Sequence, residues 1–248
     1  MKLNYGVSAL LVLALASCKA PLAISNVQPH QNQVINQSIP DDGNADMLIA
    51  PYKKSLNEKM SSKLSYTAVE LNKKGDNSNL GNLLSDFTLE AAQTWADQNK
   101  LPKIDAAVIN IGGIRSTIGA GDILLKNVYE VMPFENELVI VKIKGSDLQG
   151  LFDYYLERKV NNPVSKLTIE TKGNQLVKAL INNETVQKDR TYYIATSDYL
   201  AMGGDYMSFF KKGEMISTGE KLRDLYVNKF KENPTINVPT DVRLTLTK

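Results

Sequence analysis

Two glycine pairs, each beside a charged residue, mark where this chain is equipped for chemistry. The first sits in Asn110-Ile111-Gly112-Gly113-Ile114-Arg115 and the second in Asp198-Tyr199-Leu200-Ala201-Met202-Gly203-Gly204-Asp205. Glycines let backbone N–H groups approach a ligand closely. Arg115 brings a planar fork suited to phosphate, carboxylate or ribose oxygens, and Asp205 an acceptor for hydroxyl groups. Tyr199, and Phe134 in Pro133-Phe134-Glu135-Asn136, offer flat faces on which a base can stack. Together these residues point to a small-molecule site. Singly, each has a plainer reading: the glycines as tight turns, Phe134 and Tyr199 as core, Arg115 in a salt bridge, Asp205 as a helix cap.

Other chemistries are poorly supplied. The only histidine is His30, in a polar stretch near the N-terminus. A serine or cysteine nucleophile with a histidine base is therefore excluded from the folded body. A two-metal hydrolytic site needs several histidines, aspartates and an asparagine at defined places, and no Asp-x-His or Gly-His-x-His pattern occurs. With 29 basic and 27 acidic residues the formal net charge is +2, which leaves no basic field for nucleic acid.

The elements that must position the candidate residues follow from periodicity. Leu80, Leu83, Leu84, Phe87, Ala91 and Trp95 recur at helical spacing, predicting an amphipathic helix over 79–99. Ala106 to Ile109 reads as a buried strand, so the first glycine loop leaves a strand end, where ligands often bind. Residues 138–143 form a β-branched strand. Ser146-Asp147-Leu148-Gln149 is read as a capping box opening a helix to about Arg158, with Leu148, Leu151, Phe152 and Tyr155 inward. Residues 167–171 and 175–181 read as a hairpin turned at Lys172-Gly173-Asn174. A strand over 192–196 delivers Tyr199 and the second glycine pair. A charged helix over 219–231 and a terminal strand over 242–246 complete the chain. Residues 46–63 read as a helix interrupted near Pro51, with Leu48, Ile49, Tyr52 and Leu56 on one side. The sum is an α+β domain, a mixed β-sheet with flanking helices.

The N-terminus bears on compartment. Lys2 precedes a short apolar run over 7–15, too short for a membrane span but suited to a signal-peptide core. It runs into Leu15-Ala16-Ser17-Cys18, which resembles a bacterial lipobox and implies cleavage before Cys18 and lipidation of it. Cys18 is the only cysteine, so no intrachain disulfide forms. The expected organisation is a signal peptide at 1–17, a lipidated cysteine and flexible tether at 18–45, rich in Gln, Asn, Pro and Ser, and one folded domain at 46–248. This implies a lipoprotein of the bacterial cell envelope, periplasmic or on the outer membrane.

Over roughly residues 45–248 the chain resembles the C-terminal, substrate-binding domain of the 5′-nucleotidase family. The resemblance is carried by Asn79-Leu80-Gly81-Asn82-Leu83-Leu84-Ser85-Asp86, the 110–115 motif, Tyr129-Glu130-Val131-Met132-Pro133-Phe134-Glu135-Asn136, Lys144-Gly145-Ser146-Asp147-Leu148, and 198–205. It implies that Phe134 and Tyr199 clamp a nucleobase, that Asn110, Gly112, Gly113 and Arg115 cradle the nucleoside, and that Asp205 binds ribose. Three departures stand out. Relatives often place a phosphate-binding arginine just before the 79–86 motif, where this chain has Lys74, with Lys73 beside it; a lysine keeps the charge and loses the fork. Gly-Gly-Asp is usually followed by another glycine, and here by Tyr206. Tyr199 stands where several relatives have phenylalanine.

The resemblance further implies an activity, 5′-nucleotidase, whose two metals belong to a metallophosphatase domain. No cofactor is expected in this chain, and divalent metals only in a partner. The expectation is a nucleotide- or nucleoside-binding half that meets a separately encoded metallophosphatase, with a membrane reached through the lipid anchor. A stand-alone nucleoside- or nucleotide-binding envelope lipoprotein, or an interaction module that has kept the fold and lost the ligand, are the other readings.

Overall fold

A computed structural model of the chain describes residues 24, 26–29, 32, 34–40 and 42–247. The expected signal peptide, Cys18 and His30 lie outside the described residues. The chain divides into two compact units at Leu48/Ile49. In the first, a turn is closed by the Ile39 N–H on the Asn36 carbonyl at 3.1 Å. Among the described residues, all the strands belong to the second.

Helix α1 (Gly43–Met60) differs from the expectation. It runs unbroken through Pro51, and none of its residues is buried. Proline removes one i→i−4 hydrogen bond and tends to kink a helix rather than always ending it. Leu48, Ile49, Tyr52 and Leu56, read as one side of the helix, are all exposed.

The body is built around a five-stranded mixed sheet in the order β10-β4-β9-β2-β5: Glu214–Lys221, Glu137–Lys144, Thr191–Ser197, Ala106–Val108 and Val164–Ser165. Both faces are covered, which is why β2 and β4 are largely apolar runs and β9 is mostly buried. Along β4, Leu138 and Ile140 join one core while Val139, Val141 and Ile143 join the other, the two-residue alternation of a pleated strand. The first core contains α2 (Asn79–Gln98), α3 (Leu125–Val131) and α6 (Leu222–Glu232). There Phe87 meets Phe230 edge-on, with ring centroids 5.4 Å apart. The second contains α4 (Gly145–Arg158) and a four-stranded sheet ordered β11-β6-β7-β8: Leu244–Thr247, Leu167–Lys172, Gln175–Ile181 and Glu184–Thr185. Each fully buried large aliphatic or Phe side chain contributes about 1.5–3 kcal/mol. A small sheet pairs β1 (Lys63–Thr67) with β3 (Gly121–Leu124). The hairpin of β6 and β7 turns at Gly173 as expected.

Two expected boundaries are corrected. Helix α4 starts at Gly145, and no side chain caps it. Its first N–H groups are satisfied by a neighbouring loop instead: Gly145 N–H donates to the Arg190 carbonyl at 2.8 Å and Ser146 N–H to that of Lys188 at 3.0 Å. Ser146 is thus inside the helix, not its cap. Residues 219–221, expected in a helix, end strand β10, and α6 begins only at Leu222.

The topology explains how distant motifs meet. β2 and β9 are adjacent and parallel, with Ala106 opposite Ile194 and Ala107 opposite Ala195. Their following loops, 109–115 and 198–206, therefore leave the sheet at the same end. β4 is antiparallel to β9, with Leu138 opposite Ser197. The segment just before β4, which carries Phe134 and Asn136, arrives at that same end.

Candidate functional site

At this end of the sheet lies a cleft of about 380 Å³, lined by Asn110, Gly112, Arg115, Phe134, Asn136, Tyr199 and Asp205. The size falls in the range of small-ligand sites, about 300–1,000 Å³. Phe134 and Tyr199 are each 41% exposed, unusual for rings whose burial would stabilise the fold.

The first loop is a short 3₁₀ turn, Ile111–Gly113. Gly113 does not line the cleft; it is buried behind it, and a Cβ there would lie 3.0 Å from the Asn110 Oδ1. The loop is pinned from below. Ile111 N–H donates to Oδ1 of Asn162 at 2.8 Å. Asn162 is fully buried; its Nδ2 donates to the Tyr154 hydroxyl at 3.0 Å and its carbonyl accepts from that of Tyr155 at 2.7 Å. Arg115 N–H donates to the Val131 carbonyl at 2.8 Å, tying this loop to the end of α3 just before Phe134. Arg115 Nη1 donates to the Gly112 carbonyl at 3.2 Å, and the guanidinium carbon lies 6.0 Å from the Phe134 ring centroid. Its other guanidinium donors have no protein acceptor among the described residues.

The second loop begins with α5 (Asp198–Ala201), capped by the Ser197 side chain on the Leu200 N–H at 3.2 Å. The Tyr199 hydroxyl donates to Asp205 Oδ1 at 2.7 Å and accepts the Asp205 N–H at 3.2 Å. The carboxylate holds the phenol above its ordinary pKa, so the ring stays neutral. Gly204 is needed by close approach: a Cβ there would lie 2.5 Å from the Tyr199 ring. Asp205 and Tyr206 both have left-handed backbone, φ 48° and 67°. Such a conformation costs a non-glycine residue about 1–2 kcal/mol. The Arg158 guanidinium stacks 4.1 Å from the Tyr206 ring centroid and offsets part of that.

The structure thus brings Asn110, Gly112, Arg115, Phe134, Tyr199 and Asp205 together, and adds Asn136, which the sequence marks only as part of the Phe134 motif. Lys74 does not line the cleft; it is exposed, with its N–H on Asn72 Oδ1 at 3.0 Å. Its neighbour Lys73 donates through Nζ to the Ile114 carbonyl at 2.6 Å, bracing the first loop. The cleft offers one carboxylate and no imidazole, which does not fit a pair of divalent cations. Among the described residues no three His, Cys, Asp or Glu side chains converge as metal ligands.

A larger cleft of about 520 Å³ runs beside α2 and the segment before β11, lined in part by Asp86, Lys166, Asn182 and Arg243. None of the predicted site residues belongs to it. Arg243 bonds both oxygens of Asp86 (2.8 and 2.7 Å) and both of Asp241 (2.7 and 3.0 Å), and the carbonyls of Asn82 and Val164 at 3.2 and 2.8 Å. Its donors are saturated by the fold.

A mixed sheet covered on both faces, with a cleft between glycine-pair loops at one end, defines the class: an α+β domain with a strand-end cleft. A sequence profile described as 5′-nucleotidase, C-terminal domain, matches residues 59–212. The chain belongs to that family. It is 32% identical over 105 residues to Protein UshA of Yersinia enterocolitica, covering 41% of this chain and 19% of the relative. To the 5′-nucleotidase of Vibrio vulnificus it is 25% identical over 229 residues, 83% of this chain and 39% of that one. The crystal structure of the 5′-nucleotidase precursor from Thermus thermophilus shares the fold, with a TM-score of 0.68 and 24% identity, over 85% of this chain and 44% of its own. The chain therefore spans well under half the length of the curated relatives it matches.

Proposed function

We propose that the cleft binds a nucleoside or nucleotide, and that the chain is the substrate-binding part of a 5′-nucleotidase-type hydrolase in nucleotide catabolism. Phe134 and Tyr199 clamp the base. Asn110, the Gly112 backbone and Arg115 cradle the nucleoside and its polar groups, with Gly113 packed behind them. The Asp205 oxygen not engaged by Tyr199 accepts from ribose hydroxyls. The single observation that carries this reading is the convergence, in one cleft, of two half-exposed rings with Arg115, Asn110 and Asp205. Hydrolysis in this reading belongs to a separately encoded metallophosphatase, and this chain contributes positioning. A lipid on Cys18 holds the domain at the bacterial envelope and raises the effective concentration of an anchored partner; loss of palmitate labelling in Cys18→Ser checks the anchor.

Titration calorimetry with adenosine and AMP tests the site. Micromolar binding, about −8 kcal/mol, is expected, weakened roughly 5- to 150-fold by Phe134→Ala because stacking contributes about 1–3 kcal/mol per base. A chain that binds no nucleoside or nucleotide sinks the reading. Vigorous metal-dependent phosphate release by the chain alone would remove the need for a partner; binding with no partner requirement in the cell would leave a stand-alone binding lipoprotein.

A further inference from the structure

Phe134 sits between α3 and β4 on an exposed segment, and a stacking ring is useful only if its backbone is held. What holds it comes from far along the chain. The Arg223 Nη1 donates to the Pro133 carbonyl at 3.2 Å, and Nη2 pairs with the Glu135 carboxylate. These are the two chain neighbours of Phe134. The adjoining Leu222 N–H donates to the Asn136 carbonyl at 2.9 Å. The Arg223 guanidinium also stacks on Tyr129 of α3, 4.5 Å from the ring centroid. Its side chain is only 11% exposed. Arg223 is the second residue of α6, where the positive end of the helix dipole disfavours a cation. A cation kept there against the dipole, with both terminal nitrogens directed at the two neighbours of a half-exposed ring, is more than a solvated surface charge.

We propose that Arg223 is a positioning residue for the cleft: it clasps the 133–136 segment and holds the Phe134 ring in place for a stacked base. It lines no part of the cleft and acts only through that segment. The inference rests on the reading of Phe134 as a base clamp, and one arm of its test is independent of ligand.

The binding arm is a double-mutant cycle in the full chain, with adenosine as the probe. Arg223→Met is expected to weaken adenosine binding roughly 5- to 30-fold, and Arg223→Lys by less, since a lysine retains the charge without the fork. On the Phe134→Ala background Arg223→Met should add no further loss, because no ring remains to be positioned. Glu135→Gln, on the exposed side of the clasp, guards against a folding defect in Arg223→Met; it should give a smaller loss that also vanishes on that background. The ligand-free arm is ¹⁵N relaxation of residues 133–136. Order parameters should fall in Arg223→Met from about 0.85 towards 0.6, while those of the 198–206 loop stay unchanged. Wild-type adenosine affinity in both Arg223→Met and Glu135→Gln overturns the proposal. So does an Arg223→Met loss that persists in full without the Phe134 ring, which would mean a general structural defect. If the wild-type chain binds no adenosine, the nucleoside reading fails, and unchanged order at 133–136 then overturns the clasp by itself.

Discussion

Arg243 and Arg115 are the same side chain put to opposite uses. Arg243 is 8% exposed and its donors are engaged by two carboxylates, two carbonyls and a hydroxyl. Arg115 is exposed, and among the described residues its guanidinium gives the fold one bond, to the Gly112 carbonyl. The larger cleft surrounds the saturated arginine, the smaller the open one. A cleft lined by groups that already satisfy one another has little to offer a ligand, whatever its volume. Donors left unpaired beside exposed rings are the better guide to binding.

The largest test of this contrast is Arg243→Met. It leaves the partly buried Asp86 carboxylate without its cation and the Asn82 and Val164 carbonyls without their donor, a loss of about 1–3 kcal/mol, since Asp241 stays solvated. Denaturant titration should show this loss, while the folded fraction binds AMP with unchanged affinity. Equal damage to binding and stability would erase the distinction between the two arginines. Next in size is Arg115→Ala. Stability should move by less than about 0.5 kcal/mol, and AMP affinity should fall roughly 10- to 100-fold, as expected for lost charge-assisted bonds. Adenosine should suffer less than AMP; an equal loss would place the guanidinium on the nucleoside rather than the phosphate. The smallest effect is in acid. The Arg243 hydrogen bonds, before any other influence, hold the Asp241 carboxyl below its ordinary pKa. A depressed carboxylate stabilises the fold fully above the unfolded value, about pH 3.9. The contribution is lost as pH falls from there through the folded value. Melting temperature against pH should therefore drop less steeply below about pH 4 in Asp241→Asn than in the wild type.

Much of this was legible beforehand, and the failures have physical causes. Helix α2 announces itself because its apolar residues recur at helical spacing, and strands β4 and β9 because they are rich in β-branched and aromatic residues. Strand β10 does not, because as an edge strand with mostly exposed residues it lacks an apolar alternation. Helix α1 misleads in the opposite direction: its apolar stripe looks like a core face, and the fold leaves it in solvent. The candidate rings and glycines could be named from motifs. Their convergence depends on β2 pairing in parallel with β9, which local sequence does not encode. Arg223 carries no local mark at all; its meaning lies in the segment it touches, 88 to 90 positions earlier.

The C-terminal strand has a consequence for biosynthesis. β11 pairs in parallel with β6, and the adjoining Arg243 reaches Asp86, 157 residues earlier. A chain leaves the ribosome N-terminus first, so at about 5–20 residues per second Asp86 waits about 8–30 s for its partner. Until then β6 is an open sheet edge, a template for wrong pairing. A polypeptide truncated before Arg243 keeps that edge and an orphaned Asp86 carboxylate. Strand β11 thus closes an edge of the sheet that nothing made earlier in the chain covers.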